Sequence, residues 1–238
     1  MPSATSRLTT IGFDADDTLW QNEQFYQVTQ ARFLELLADH ADAKELPDRL
    51  LKVMLRNIGA YGFGIKSFTL SMVETAIEVT EGRAPASVIS EILAAGREMA
   101  AHPVETLPHA RETLESLKGK YRLVLITKGD LFDQERKVAQ SGLGEFFAAV
   151  EIVSAKTPET YRRIFGRFEG GAEQAIMVGN SQKSDVILAL QAGSWGIHVP
   201  QELLFALEHA EPPVDQPRFR QIADLGELPA LLAEIEQG

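Results

Sequence analysis

Short apolar runs alternate with longer stretches of helical periodicity along most of this chain. Leu8–Phe13 is the first run, and it stops abruptly at Asp14. Arg122–Thr127, Ala149–Val153 and Ala175–Val178 share its form, rich in Leu or β-branched residues and followed by small or polar ones, and Trp195–Val199 is a fifth. Between the runs, Ala110, Leu114 and Leu117 recur at helical spacing. So do Tyr161, Ile164, Phe165 and Phe168 behind a Thr157-Pro158 start signal, and Val186, Ala189, Leu190 and Gly193 further on. Continuous apolar strands alternating with helices predict an α/β chain whose parallel sheet is covered by helices on both faces.

The stretch between the first two runs differs. It holds four amphipathic helical patterns and no convincing strand: Phe25 to Leu37, ending before Ala41-Asp-Ala-Lys44; Leu50, Met54 and Ile58, opened by Pro47; Phe68, Met72 and Ala76; and Ile89 to Met99. A helical block of about 80 residues is far too long for an ordinary connection. It reads as an inserted, all-helical cap over residues 22–103, splitting the core into residues 1–21 and 104–238. The Tyr61-Gly-Phe-Gly64 segment is its most irregular piece, and Tyr61 and Phe63 are candidates to line a substrate pocket. A loop is expected over Glu211–Pro217 and a last helix over Leu225–Ile235.

Composition narrows the possibilities. The 238 residues carry 23 Lys and Arg against 34 Asp and Glu, a net charge of −11. Such a chain repels phosphodiester backbones and anionic lipid, so neither nucleic acid nor membrane is an expected partner. The absence of cysteine excludes disulfides, thiolate zinc sites and a Cys nucleophile. No apolar run is long enough for a membrane span, and Met1–Arg7 has no apolar stretch behind it, which suggests a cytoplasmic protein.

Four polar clusters follow the apolar runs: Asp14-Ala-Asp16-Asp17-Thr18, Thr127-Lys128-Gly-Asp130, Ala155-Lys156-Thr-Pro158, and Gly179-Asn180-Ser181 with Asp185. In an open α/β sheet the carboxyl ends of the strands share one crevice, so clusters remote in sequence converge there. Their residue types suit phosphoryl transfer to a side chain. One carboxylate can attack phosphorus, a second carboxyl can protonate the leaving oxygen, and a hydroxyl and an ammonium can bind the non-bridging oxygens.

These four clusters, in this order and with a helical block after the first, resemble the motifs of the haloacid dehalogenase superfamily over the whole chain. The resemblance implies a Rossmann-like parallel core with a helical cap. Asp14 would be the nucleophile and Asp16 the general acid and base, with Thr127 and Lys156 on the phosphoryl group. Mg²⁺ would be held by Asp14, the Asp16 carbonyl, Asn180 and Asp185. Lys128 adjoins Thr127 and is a further phosphate candidate, although a lone lysine is more often a solvated surface charge. Asp17 reads as a capping or hinge carboxylate. The five histidines show no metal-ligand spacing, and Trp195 is expected in the core.

Most phosphatases of this superfamily carry an acid where this chain has Asn180, so weaker metal affinity is expected. Asn there is also similar to halide-displacing dehalogenases, which need no metal, but those generally lack the second carboxylate supplied by Asp16. The leading expectation is a Mg²⁺-dependent phosphatase of a small phosphorylated metabolite, acting through an aspartyl-phosphate as a monomer or homodimer. A non-catalytic binding or regulatory protein, a 2-haloacid dehalogenase and a phosphomutase are the alternatives.

Overall fold

The computed structural model describes residues 7–40, 42 and 44–237. The reading of the amino-terminal segment therefore lies almost wholly outside the described residues, as do Ala41 and Ala43. The described residues form a six-stranded parallel sheet in the order β3-β2-β1-β4-β5-β6. The strands are β1 Thr10–Phe13, β2 Arg122–Lys128, β3 Ala149–Val153, β4 Ala175–Gly179, β5 Trp195–His198 and β6 Phe219–Gln221. The helices in chain order are α1 Glu23–Leu36, α2 Leu46–Tyr61, α3 Ile65–Val79, α4 Ala86–Ala101, α5 Ala110–Leu117, α6 Leu131–Ser141, α7 Pro158–Phe165, α8 Leu188–Ala192 and α9 Leu228–Gln237.

The α/β architecture expected from the alternating runs is present. β1 lies between β2 and β4, with Phe13 opposite Leu125 on one side and Val178 on the other. Strand order reverses at β1, so its carboxyl end opens on the crevice where ligands bind in such sheets. Alternate β1 side chains enter two separate cores. Ile11 and Phe13 join Leu123, Leu125, Ile176 and Val178 on one face. On the other, Val124, Ile126 and Met177 pack with Tyr161, Ile164 and Phe165 of α7. Each large side chain buried in this way contributes about 1.5–3 kcal/mol. Gly12 faces this second core, where a Cβ would come within 3.0 Å of Ile126 and Phe165 and 3.1 Å of the Met177 sulfur.

The chain divides into two compact units. The first comprises Met1–Glu23, Val104–Lys128 and Lys137–Gly238, and the second Gln24–Pro103 with Gly129–Arg136. The second has its own core, in which Phe33, Leu37, Leu46, Leu50, Phe68, Met72 and Ile92 come from four different helices or the turn after α1. α2 begins with the proline near its first position that the sequence suggested, where a missing N–H has no consequence. Likewise, the Thr157 side chain accepts the Thr160 N–H at 3.1 Å and starts α7.

Some elements depart from the sequence pattern. α6 and β6 were not expected: α6 is polar apart from a few residues and leaves Leu131 and Phe132 exposed, and β6 has three residues of which one is apolar. The Val186–Gly193 periodicity is built as a π-helical stretch, Gln182–Ile187, running into α8. Trp195 is only partly buried, with the Arg220 guanidinium 5.2 Å from its ring centroid. Replacing Gly12 with Val should destabilise the protein by about 1–3 kcal/mol, since overpacking at this crossing forces side chains on neighbouring elements to move. Urea unfolding would measure the loss, and an unchanged midpoint would refute this view of the crossing.

Candidate active site

Asp14 is the first residue beyond β1, tied to β4 by its N–H to the Val178 carbonyl at 2.9 Å. Asp185 is fully buried at the fourth residue of the π-helical stretch after β4. Lys156, from the loop after β3, lies between them. Its ammonium donates to Asp14 Oδ1 and, at 2.6 Å, to Asp185 Oδ1. Asp185 Oδ2 accepts the Ser181 N–H at 3.0 Å. This carboxylate lies so close to the end of β4 that a Cβ on Gly179 would meet it at 2.3 Å. Only glycine fits there.

One ammonium thus serves two carboxyl groups. Burial pushes the Asp14 carboxyl up to about 7, and the charge of Asp185 adds to the rise, against the opposing pull of Lys156. Burial disfavours the Lys156 ammonium as well, but Asp14 and Asp185 overcome this and hold its pKa above the usual lysine value. Tyr161 lies beneath the cluster and donates to the Ser184 carbonyl at 2.8 Å. Burial, then the charges of Asp185, Asp14 and Glu208, raise its pKa well above normal, so it stays protonated.

Thr18 links the first and fourth motifs. Its hydroxyl lies 3.5 Å from Asp14 Oδ2 and 3.4 Å from Asn180 Oδ1, and it accepts the Asn180 N–H at 3.1 Å. His198 at the end of β5 fixes the same residue from the other side, with Nε2 3.0 Å from the Asn180 carbonyl oxygen. Thr127 is buried near the end of β2. Asp14, Asn180, Lys156 and Asp185 are thus brought into one hydrogen-bonded group, and Thr127 is the last residue but one of the strand next to β1.

Asp16 and Lys128 occupy different surroundings. Asp16 Oδ1 accepts from Trp20 Nε1 at 2.7 Å and from Lys137 Nζ at 2.6 Å. The Lys128 ammonium is paired with Glu208 and lies 3.0 Å from Ser184 Oγ, which makes it a bridge between strand ends rather than a surface charge. Asp17 has a left-handed backbone with φ 58°, a conformation Asp tolerates better than most residues. Its carboxylate accepts the N–H groups of Asn22 and Glu23 at 2.8 and 3.0 Å where α1 begins. Burial lifts its pKa to about 6, against those two hydrogen bonds.

Sequence reasoning missed Glu208, Lys137, Trp20 and His198. Glu208 and His198 belong to no motif, and their partners, Lys128 and Ser181 for the one and Asn180 and Gln221 for the other, lie 18 to 80 positions away. For Lys137 and Trp20 a signal existed, since Trp20 sits four residues after Asp16 in a tight loop. Even so, nothing local pairs Lys137 with Asp16 across 121 positions.

The donor set can be tested for a hard cation. Among the described residues no group of three or more His, Cys, Asp or Glu side chains is arranged to hold a metal. However, Asp14 Oδ2 and Asn180 Oδ1 both reach the Thr18 hydroxyl, and two carboxyl groups share one ammonium beside them. Oxygen donors of this type fit Mg²⁺, which takes few carboxylates and keeps several waters. Such a site has fewer charged ligands than one with an acid at position 180.

With the fold and the cluster in view, the chain falls into a definite class: α/β proteins with an acid-rich site at the central strand of a parallel sheet. Residues 8–193 match the family of haloacid dehalogenase-like hydrolases, and the chain belongs to it. A solved structure of a haloacid dehalogenase-like family hydrolase from Xanthomonas campestris is 40% identical, covers 97% of this chain and 92% of its own, and superposes with a TM-score of 0.86. A glyceraldehyde 3-phosphate phosphatase from Pyrococcus furiosus is 27% identical over 194 residues, 79% of this chain and 78% of that protein. The L-2-haloacid dehalogenase of Xanthobacter autotrophicus, at 18% identity over 95% of this chain and 98% of its own, shares the fold with a TM-score of 0.65.

Glu208 supplies a test of the Lys128 bridge. Burial alone would raise its pKa, but Lys128, then Ser181 and Ser184, hold it down to about 2. A carboxyl depressed from 4.5 stabilises the fold above that value and loses the contribution as pH falls toward 2. Glu208→Gln should therefore cost about 3 kcal/mol at pH 7, with the gap to the parent closing between about pH 4.5 and 2. Chemical denaturation across this range measures it. A gap independent of pH would contradict the bridge.

Proposed function

We propose that this hydrolase is a Mg²⁺-assisted phosphatase of a small phosphorylated metabolite, acting through a phosphorylated Asp14. The observation that carries the proposal is the Asp14–Lys156–Asp185 cluster with a second carboxylate, Asp16, two residues along the same loop. The phosphatase names of the Pyrococcus protein and of a second relative, from Methanothermobacter thermautotrophicus and 26% identical, support the same substrate class.

In the proposed reaction a carboxylate oxygen of Asp14 forms a bond to phosphorus as the bond to the leaving oxygen breaks. The electron pair departs with that oxygen, and Asp16 donates a proton to it. Asp16 then takes a proton from water as the water oxygen bonds to phosphorus. The acyl-phosphate bond breaks, and its electrons return to Asp14. Atoms balance as phosphate monoester plus water giving alcohol plus phosphate. Lys156 and Thr127 bind the non-bridging oxygens, and Lys156 also keeps Asp14 from being neutralised by Asp185. Asp14, the Asp16 carbonyl, Asn180 and Asp185 are the residues that would hold Mg²⁺. When bound, the ion supplies positive charge against which the substrate dianion and Asp14 can approach each other. Lys128, paired with Glu208, is placed outside the phosphate contacts in this reading. The helical block 22–103 is proposed as the cap that reads the leaving group.

An enzyme of this kind with net charge −11 accepts an anion only through local reversal of charge. Screening phosphorylated metabolites, beginning with triose phosphates, for phosphate release is the direct test. Asp14→Asn should lower turnover by at least about 10³-fold without loss of fold, as expected for removal of a nucleophile. Substantial residual turnover would overturn the role. Mg²⁺ titration of activity should give tighter apparent binding in Asn180→Asp than in the parent, because a charge is added to the ligand set. Equal affinities would show that Asn180 is not at the metal.

A further inference from the structure

We infer that His198 is a positioning residue for Mg²⁺ binding: it fixes the peptide that joins Asn180 to Ser181 and, through that peptide, two of the ion's ligands. The inference rests on the reading of Asn180 and Asp185 as metal ligands. Asn180 is the first residue beyond β4, where the ladder to β5 ends with Gly179 opposite His198. Both of its main-chain groups are held by side chains. Its N–H donates to Thr18 Oγ1 at 3.1 Å, and His198 Nε2 lies 3.0 Å from its carbonyl oxygen. A carbonyl can only accept, so Nε2 carries the hydrogen. The other ring nitrogen, Nδ1, is 3.0 Å from Oε1 of Gln221 on β6. Buried and met at both nitrogens, the imidazole is kept from turning Nε2 away.

The peptide held by His198 touches both ligands. Its carbonyl belongs to Asn180, and its N–H, that of Ser181, donates to Asp185 Oδ2 at 3.0 Å. His198 and Asp185 thus grip opposite edges of one rigid plane. On the β1 side, the Thr18 hydroxyl accepts the Asn180 N–H and lies 3.4 Å from Asn180 Oδ1, so main chain and side chain share that anchor. Without the His198 bond the peptide is free to rotate between Thr18 and Asp185, and the Asn180 side chain moves with it. The consequence is large because Asn180 carries no charge. A carboxylate attracts a cation over a wide range of positions. An amide oxygen attracts through its dipole, which weakens faster with distance and with angle, so its contribution depends on being held in place beforehand. Residues behind the ligands set metal affinity in this way.

The test reads Mg²⁺ binding to the full chain without substrate, from the rise of the thermal unfolding midpoint with Mg²⁺ concentration, in enough KCl to screen weak surface sites. Each variant is fitted against its own metal-free midpoint, so a loss of stability alone does not register. His198→Phe keeps the bulk of the ring and loses its N–H, and it should weaken the apparent Mg²⁺ affinity by about tenfold. His198→Gln places an amide N–H₂ where Nε2 stood and should restore most of that affinity. His198→Asn reaches only as far as Nδ1 and should behave like His198→Phe. Unchanged affinity in His198→Phe, or equal affinities in the Gln and Asn variants, would overturn the inference. Should His198→Phe fold poorly, the comparison of Gln with Asn decides by itself. Asn180→Ala is measured alongside. If it weakens Mg²⁺ binding and the His198 variants do not, only the role of His198 fails. If Asn180→Ala binds Mg²⁺ as the parent does, or the parent shows no rise with Mg²⁺, the reading of Asn180 fails and the inference with it.

Discussion

A single buried ammonium, Lys156, is placed between two buried carboxylates, Asp14 and Asp185, and most of the site depends on that arrangement. None of the three groups would remain charged in such a setting alone, because taking an ion out of water costs several kcal/mol. Together they form one hydrogen-bonded group, with two carboxyl groups sharing a single ammonium. Burial first, and the neighbouring Asp185 second, raise the Asp14 carboxyl to about 7. In the proposed reaction a bound cation would offset the second acid and so make room for a phosphate. Removing Lys156 would leave two buried carboxyl groups facing each other with no ammonium between them, whereas removing either acid leaves a matched pair, so the lysine couples stability to the proposed chemistry.

The sheet makes the arrangement possible. Asp14 leaves the central strand, Asp185 follows β4, and Lys156 follows β3, so three separate loops bring one charge each to the same end. Polar bridges hold the loops in register. Thr18 joins the β1 loop to Asn180, His198 at the end of β5 holds the carbonyl of the same asparagine, and Lys128 ties β2 to Glu208 beyond β5. Ser181 completes the last bridge by donating to Glu208 at 2.5 Å while accepting the Ser184 N–H at 2.8 Å. Each buried polar group in these bridges has a partner, and this is what lets the strand ends remain polar next to dry cores.

Much of this was legible in the residues. The continuous apolar runs marked the first five strands because strands covered on both faces need no alternation. The four helices of the block from Glu23 to Ala101 were legible because each has one apolar stripe. Asp14, Lys156 and Asp185 could be named because motif order and strand ends together specify a shared crevice. β6 could not, because an edge strand of three residues buries too little to leave a pattern, and α6 could not, because its polar residues face solvent or ion pairs. The pairing of Asp16 with Lys137, and of Lys128 with Glu208, is tertiary. Their charges are ordinary in sequence and acquire meaning only when the fold buries them side by side.

The most direct test is whether Asp14 carries the phosphoryl group during turnover. Acid-quenching the enzyme with a substrate found by screening, followed by peptide mass spectrometry, should show one added phosphoryl group on the peptide containing Asp14. The label should vanish on treatment with hydroxylamine, as acyl phosphates do. Turnover with no such modification, or with phosphate on another residue, would contradict the account.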